Sequence, residues 1–169
     1  MIVIETGRLE LFEMDENDAE FILRLVNEPA FLRYIGDRGV RSIEDARRYI
    51  ADGPVAGYGR YGHGLLRVAR KADGVPVGMC GVLKRDTLPD PDLGFSFLPE
   101  HWSQGYAFES ADAVMKHARE ALGLGRILAI TTIDNGPSIR LLGKVGFRFD
   151  RMITVGDDPT ELRQFVSEP

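Results

Sequence analysis

The chain has 169 residues, of which 44% are hydrophobic and 28% are charged, and its formal net charge at pH 7 is -5. This composition excludes a disordered segment. The length predicts a single domain over residues 1–169, because a chain of this size buries roughly 70% of its unfolded surface without disulfides. The acidic balance and the lack of a basic run disfavour nucleic acid as the main partner.

The cysteine and histidine content gives no support to disulfide or metal chemistry. Cys80 is the single cysteine, so an intramolecular disulfide framework and a multi-cysteine metal site are both excluded. The histidines, His63, His101 and His117, share no short ligand spacing. We therefore expect no metal cofactor, and we interpret Cys80, which is flanked by glycines in a predicted strand, as a buried packing residue.

The N-terminal residues and the hydropathy along the chain indicate the compartment. The first residues lack the basic start, the apolar run and the small-residue cleavage site of a secretion signal. No apolar stretch approaches the length that spans a bilayer. We therefore expect a cytoplasmic protein with no membrane partner.

The first half of the chain predicts one strand followed by two helices. Residues 8–12 alternate between apolar and polar as a strand does, and Asp15 or Asn17 is suited to cap a first helix. Ser42 is suited to cap a second helix. The glycine-rich stretch at residues 53–64 predicts a loop.

The second half of the chain predicts most of a sheet. Apolar segments separated by turn residues predict strands at residues 65–70, 76–83, 93–98, 126–132, 147–155 and 161–166. Helical periodicity covers residues 106–122 and 138–145. The resulting order of seven strands and four helices favours an α/β (α+β) fold in which helices cover a mixed sheet.

The segment at residues 102–110 joins a predicted strand to the longest helix. Gly105 and Ala107 leave the backbone bare where the helix begins, so that successive N–H groups can face a ligand. Such a helix start binds pyrophosphate, although an ordinary tight turn explains the same residues. The segment lacks the glycine spacing of a Rossmann turn and the GK[ST] of a P-loop, which disfavours dinucleotide and NTP chemistry.

The segment at residues 135–147 follows the strand that ends near Thr132. Asn135 is suited to cap a short helix, and Pro137 is tolerated in its first turn. Taken alone, the segment is explained by structure, with Asn135 as a helix cap and Ser138 facing solvent.

Together the two segments resemble the motifs of the GNAT superfamily of N-acetyltransferases, a Q/RxxGxG/A loop and an NxxSxxLxxxxGF segment. Trp102 replaces the usual Gln or Arg of the first motif, while Gly105 and Ala107 match it. The second motif matches at Asn135, Ser138, Leu141, Gly146 and Phe147. Further features resemble the ribosomal-protein-alanine acetyltransferase (RimJ/RimL-type) branch, namely Glu5–Leu9, Leu93–Phe95, Pro99 and Gly105–Glu109.

The resemblance implies a fold, an activity and partners. The fold is a mostly antiparallel sheet of about seven strands flanked by about four helices, with a splayed strand pair in the middle. The activity is transfer of an acetyl group from acetyl-CoA, as co-substrate, to a primary amine of a protein N-terminus or a small molecule. The implied oligomeric state is a monomer or a homodimer. The alternatives are a non-catalytic module that binds or senses acyl-CoA and a structural domain that binds no CoA.

The resemblance also assigns site residues. It assigns acetyl-CoA binding to Phe97, Leu98, Gln104, Gly105, Tyr106, Ala107, Phe108, Glu109, Asn135 and Ser138. In the first helical turn Glu109 is also suited to stabilise the helix electrostatically. Ser138 is further placed near the sulfur of the leaving thiolate.

The predicted catalytic base is Asp92, because the branch carries a Glu at this position and an amine near pH 7 must lose a proton before it attacks. The alternative for Asp92 is a structural residue that ends a turn. His101 is a further candidate for the base or for a substrate contact. Phe31 and Tyr34 are predicted to wall the acceptor pocket, unless they belong to the core.

Overall fold

The computed structural model describes residues 1–169, and its strands form one open sheet. The strands are β1 (Ile2–Glu5), β2 (Leu9–Glu13), β3 (Leu65–Arg70), β4 (Pro76–Leu83), β5 (Asp92–Phe97), β6 (Ile127–Thr132), β7 (Arg148–Ile153) and β8 (Leu162–Ser167). Their order is β1-β2-β3-β4-β5-β6-β8-β7, and every neighbouring pair is antiparallel except β5 and β6. The predicted mixed, mostly antiparallel sheet is confirmed. It contains one additional strand, β1, that the sequence did not predict.

The helices lie on both faces of the sheet. They are α1 (Ala19–Leu25), α2 (Pro29–Tyr34), α3 (Ile43–Ile50), α4 (Ala56–Tyr61), α5 (Tyr106–Glu120) and α6 (Gly136–Lys144). Short 3-10 turns occupy Glu16–Asp18 and Pro99–His101, and a π-helical segment, Ala51–Val55, joins α3 to α4. No helix has both the length and the apolar content that crossing a membrane requires.

The prediction of a loop at residues 53–64 is wrong, because the end of the Ala51–Val55 segment and α4 make residues 53–61 helical. Pro54 is buried in the π-helical segment, where the widened turn accommodates its ring. The Tyr58 hydroxyl accepts the Met14 N–H at 3.0 Å and donates to the Leu65 carbonyl. These long-range contacts outweigh the low helix propensity of the glycines, and the helix ends at Gly62 with φ of +79°.

The sheet splits between β5 and β6. The two strands share one registered pair, Asp92 with Leu128, and the Leu128 N–H donates to the Pro91 carbonyl at 2.9 Å. The outer edges of both strands are paired along their whole length, with β4 and β8 respectively. The predicted splayed pair is therefore confirmed, and its opening leaves the inner edge of β5 without a strand partner.

Two hydrophobic clusters hold the helices on the sheet. On one face α5 and α6 pack on the strands, with Leu9, Val68 and Ala111 fully buried. On the other face α1 to α3 pack against Met79 and Leu98. Helices cover both faces of the sheet. The gap between β5 and β6 is therefore a cleft with helices on both sides of the sheet around it, and not a flat surface.

Gly81 and Gly59 provide a matched test of the register of β3 and β4. A Cβ atom on Gly81 would lie 2.2 Å from the Gly64 carbonyl oxygen, whereas a Cβ on Gly59 in α4 would meet nothing within 4 Å. We expect Gly81→Ala to lower the free energy of unfolding by about 2 kcal/mol or more. Gly59→Ala should raise it by about 0.5–1 kcal/mol. Urea unfolding followed by circular dichroism measures both, and equal effects would contradict this register.

Candidate active site

A large cleft opens where β5 and β6 diverge. It encloses about 1490 Å³, and its walls are the two splayed strands, α2, the Ala51–Val55 segment, α4 and the first turns of α5 and α6. Ordinary small-molecule pockets hold roughly 300–1,000 Å³. The cleft therefore suits a long ligand, or two ligands that meet inside it.

The start of α5 presents a row of unpaired backbone donors, which we call the amide loop (residues 104–108). None of its N–H groups donates to an acceptor in the protein, and no side chain caps the helix. Gly105 has φ of +82° and Ser103 has φ of +61°, so the chain enters the helix through two left-handed residues. Unpaired N–H groups at the positive end of a helix dipole attract an anion.

Glu109 departs from the sequence prediction. Its N–H donates to the Gly105 carbonyl at 3.0 Å, so this group is not free for a ligand. Its Oε1 accepts from the Thr6 hydroxyl at 2.6 Å and from the Arg8 N–H at 2.9 Å, and its Oε2 accepts from Arg8 Nε at 2.7 Å. Partial burial acts to raise the pKa of Glu109, but the hydrogen bonds from Thr6 and Arg8 outweigh it and hold the pKa below its usual range. Glu109 is an anchor for α5.

The inner edge of β5 presents main-chain groups to the cleft. The Leu98 N–H donates to the Val77 carbonyl of β4 at 2.9 Å, so the alternation of an antiparallel strand turns the peptide groups of Phe97 and Phe95 toward the opening. Trp102 Nε1 donates to the Phe97 carbonyl at 2.8 Å. The Phe97 N–H therefore faces the cleft, while its carbonyl is occupied by the indole.

Leu98 does not have the free groups that the sequence prediction requires. Its N–H is paired with β4, and its carbonyl accepts from the His101 N–H at 3.0 Å. Its side chain is 2% exposed and lies in the cluster with α1 to α3. Leu98 fixes the end of β5 and leaves no donor for a ligand.

Asn135 and Ser138 lie at the β6 side of the cleft. Asn135 Oδ1 accepts the Ser138 N–H at 3.4 Å, so the helix-cap interpretation of Asn135 holds. The Asn135 Nδ2 group and the Ser138 hydroxyl have no partner in the protein, and both residues line the cleft. The cap and a ligand contact therefore use different atoms of Asn135.

Asp92 lies where β5 and β6 meet, at the narrow end of the cleft. It is 1% exposed, and its two carboxylate oxygens accept from Arg85 Nε and Nη2, each at 2.9 Å. Burial raises the pKa of Asp92, and this effect outweighs the opposing pull of Arg85. Both oxygens are thus engaged, and a direct proton acceptor at this position would have to give up Arg85.

The predicted acceptor wall is divided between core and cleft. Phe31 is 3% exposed and belongs to the cluster with α1 to α3, so its ring is a core residue that backs the cleft. Tyr34 is half-buried and lines the cleft, with the Arg33 guanidinium 4.7 Å from its ring centroid. Arg33 also reaches Asp134 across the mouth of the cleft at 3.1 Å.

His63 is a cleft residue that the sequence analysis missed. Its Nδ1 lies 2.6 Å from the Val82 carbonyl, and because a carbonyl only accepts, Nδ1 carries a proton, which leaves Nε2 as the acceptor nitrogen of the neutral ring. Its position in a glycine-rich stretch gave no signal in the sequence. His101 also lines the cleft, and its Nδ1 is buried without a partner.

Cys80 is confirmed as a buried packing residue. Its side chain is 0% exposed within the sheet, and burial raises the pKa of the thiol to about 12. Because the thiolate is the nucleophilic form, this burial disfavours a nucleophilic role for Cys80 near neutral pH.

Comparison with known proteins identifies this architecture. The model of the acetyltransferase (GNAT) domain family matches residues 8–148. The chain belongs to the GNAT acetyltransferase family. It is 32% identical over 148 residues to the uncharacterized N-acetyltransferase YoaA of Bacillus subtilis, a match that covers 86% of this chain and 82% of the relative.

Solved structures of GNAT acetyltransferases share the fold. A GNAT-family acetyltransferase from Bacillus anthracis is 24% identical with a TM-score of 0.80, covering 99% of this chain and 98% of that one. RimL, a ribosomal L7/L12 alpha-N-protein acetyltransferase solved in complex with coenzyme A, is 16% identical with a TM-score of 0.84. That match covers 99% of this chain and 98% of RimL.

The Arg85–Asp92 pair leads to an asymmetric stability prediction. Arg85→Gln leaves a buried carboxylate unpaired and should lower the free energy of unfolding at pH 7 by about 3 kcal/mol. Asp92→Asn leaves a guanidinium that is 30% exposed and can reach water, so a loss of about 1 kcal/mol is expected. The double variant should resemble Asp92→Asn.

The pH dependence of this loss follows from the buried carboxyl. A folded-state pKa above the unfolded value means that stability is greatest below the unfolded pKa and falls as pH rises through the folded pKa. Removal of Arg85, which lowers the pKa of Asp92, should raise that pKa further, so the variant regains more stability than the wild type and its deficit should shrink as the pH is lowered from 7 to 5. Urea unfolding at both pH values tests this, and additive losses in the double variant would contradict the pairing.

Proposed function

We propose that this protein is an acetyl-CoA-dependent N-acetyltransferase that transfers an acetyl group to a primary amine. The observation that carries the proposal is the amide loop, whose N–H groups are free and whose residues 105–108 line a cleft between splayed strands. We further propose that the protein works in the cytoplasm, as a monomer or homodimer, on acceptors other than nucleic acids and membranes. Its net charge of -5 supports the exclusion of nucleic acid.

The residues at the amide loop fit the diphosphate of acetyl-CoA. Unpaired N–H groups at a helix start are donors of the kind that hold a diphosphate, and the dipole of the 15-residue helix α5 adds a positive field. Gly105 adopts a left-handed conformation that other residues rarely adopt, so the loop keeps its backbone bare. Gln104, Gly105, Tyr106, Ala107 and Phe108 are the proposed contacts.

The cleft between the strands fits the pantetheine arm. The Phe97 N–H and the peptide groups of Phe95 face it from β5, and Asn135, the N-cap of α6, lines it with an Nδ2 group that has no partner in the protein. Thr131 of β6 is 7% exposed, and its hydroxyl has no partner in the protein. A buried hydroxyl without a partner is costly, and a polar ligand in the cleft would satisfy it.

The chemistry that the proposal requires divides among the chain's own groups. Acetyl-CoA, when bound, supplies the thioester that the amine attacks. The Ser138 hydroxyl is free to donate to the departing sulfur. The amine must first lose a proton, which His63 can accept through Nε2 and which Asp92 can accept only through water while it holds Arg85. Tyr34 lines the cleft and is the residue that we propose for the acceptor wall.

The acceptor that we favour is a protein N-terminus, in the manner of the RimJ/RimL-type branch. The support is the close match in fold to RimL, which is named for acetylating the N-terminus of a ribosomal protein. A small-molecule amine is the alternative acceptor. A non-catalytic acyl-CoA-binding module is the second candidate function, and the engagement of both Asp92 oxygens by Arg85 is the observation that favours it.

Thiol release distinguishes these functions. The purified protein is incubated with acetyl-CoA and a panel of N-terminal peptides and small amines, while calorimetry measures the binding of CoA. We expect CoA to bind and thiol to appear only when an accepted amine is present. Tight CoA binding without acceptor-dependent thiol would favour the sensing module, and no CoA binding would refute both.

Gly105→Glu should abolish CoA binding in a folded protein. The new carboxylate would occupy the anion site with a like charge, and we expect an increase in Kd of about 100-fold or more. Gly123→Glu is the control matched in charge and in backbone conformation, because Gly123 also has a positive φ of +65°, a Cβ there meets nothing within 4 Å, and the residue lies beyond the far end of α5. Circular dichroism checks folding and calorimetry measures Kd. Equal affinities in the two variants would refute this placement of the diphosphate.

A further inference from the structure

We propose that Arg8 is a positioning residue that orients and electrostatically shields the amide loop for the diphosphate of acetyl-CoA, an inference that rests on the proposed function. Arg8 belongs to the turn between β1 and β2, almost a hundred positions from the loop in sequence. It does not line the cleft. Its effect on a ligand must therefore pass through the residues that it holds.

The Arg8 side chain contacts the first turn of α5 without lining the cleft. Its Nη1 donates to the Gln104 carbonyl at 2.9 Å, and its Nε and Nη2 each approach Glu109 Oε2 at 2.7 Å. Its guanidinium carbon lies 4.6 Å from the centroid of the Tyr106 ring. The planar fork of an arginine therefore ties together three residues at the start of one helix, which a lysine cannot do.

The bond to the Gln104 carbonyl determines where the Gly105 N–H points. The two groups belong to one peptide unit, which is planar and trans, so the N–H is directed opposite to the C=O. Arg8 holds the Gln104 carbonyl on its own side of the loop, away from the cleft lining, and thereby directs the Gly105 N–H to the opposite side. Gly105 also makes room for Arg8, since a Cβ at this position would lie 3.2 Å from Arg8 Nη2.

The bond to Glu109 removes an electrostatic conflict. A carboxylate in the first turn of α5 lies close to the position proposed for the diphosphate and would repel it. Arg8 places its charge against Glu109 Oε2, while Thr6 donates to Oε1 at 2.6 Å. The Thr6 hydroxyl also accepts the Leu9 N–H at 3.0 Å, so the β1–β2 turn is itself folded around Glu109. Thus Glu109 serves as an anchor without opposing an anionic ligand.

Binding of CoA to Arg8 variants tests this role. We expect Arg8→Gln to raise the Kd for CoA and the KM for acetyl-CoA about tenfold or more, with kcat within about twofold, because the loop binds the cofactor and does not touch the acceptor. Arg8→Lys should fall between, because it restores the charge without the fork. Arg8→Gln combined with Glu109→Gln should regain part of the affinity, since the unshielded charge is gone.

Arg47→Gln is the matched control. Arg47 is 49% exposed, close to the 51% of Arg8, and it pairs with Glu44 on α3 outside the cleft. We expect wild-type affinity for this variant. Equal Kd values for Arg8→Gln and Arg47→Gln would overturn the proposal, as would a double variant no tighter than Arg8→Gln.

Two further outcomes separate the hypotheses. If Arg8→Gln does not fold, the Kd of Arg8→Lys tests the proposal instead. Wild-type affinity in Arg8→Lys would overturn it, because the guanidinium would then not be required to position the loop. Failure of the wild-type protein to bind CoA would refute the proposed function itself. An effect confined to the melting temperature, with Kd unchanged, would leave Arg8 a purely structural residue and would overturn the proposal.

Discussion

β5 and β6 meet at Asp92 and Leu128 and then diverge, and the unpaired inner edge of β5 is the constraint on which the rest of the structure depends. Peptide groups that face a buried opening are costly unless a partner satisfies them. The protein supplies one partner, the Trp102 indole on the Phe97 carbonyl, and leaves other groups facing the cleft. Because β4 and β8 pair the outer edges fully, the opening is held by the sheet itself.

The two ends of this cleft are fixed by charge in different ways. At the narrow end, Arg85 and the buried Asp92 form a bidentate pair where the strands meet. Beside the mouth, Arg8 and Glu109 form a partly exposed pair at the start of α5. The buried pair is sensitive above all to the loss of Arg85, because burial makes the unpaired Asp92 charge expensive. Arg8 is 51% exposed, so its charge adds little to stability, and we assign its value to the orientation and the field of the amide loop.

Local signals in the sequence predicted most of the fold and the outline of the site. The apolar segments at residues 65–70 and 76–83, separated by turn residues, and the helical periodicity after Tyr106 are short-range patterns, and the structure confirms the strands and the helix that they predict. The amide loop was visible because a helix start marked by Gly105 and Ala107 is a local feature. The prediction failed at residues 53–64, where glycine content indicated a loop and the burial of Pro54 and the bonds of Tyr58 impose helix.

The sequence by itself indicated the family, the order of elements from residue 65 onward and the position of the amide loop, because each depends on short-range patterns. Only the tertiary structure decided which groups are free. It paired Asp92 with Arg85, occupied both main-chain groups of Leu98, and turned Glu109 toward Arg8. It also brought His63 to the cleft wall. The physical reason is that the availability of a donor or a charge depends on partners from distant parts of the chain, which local patterns do not encode.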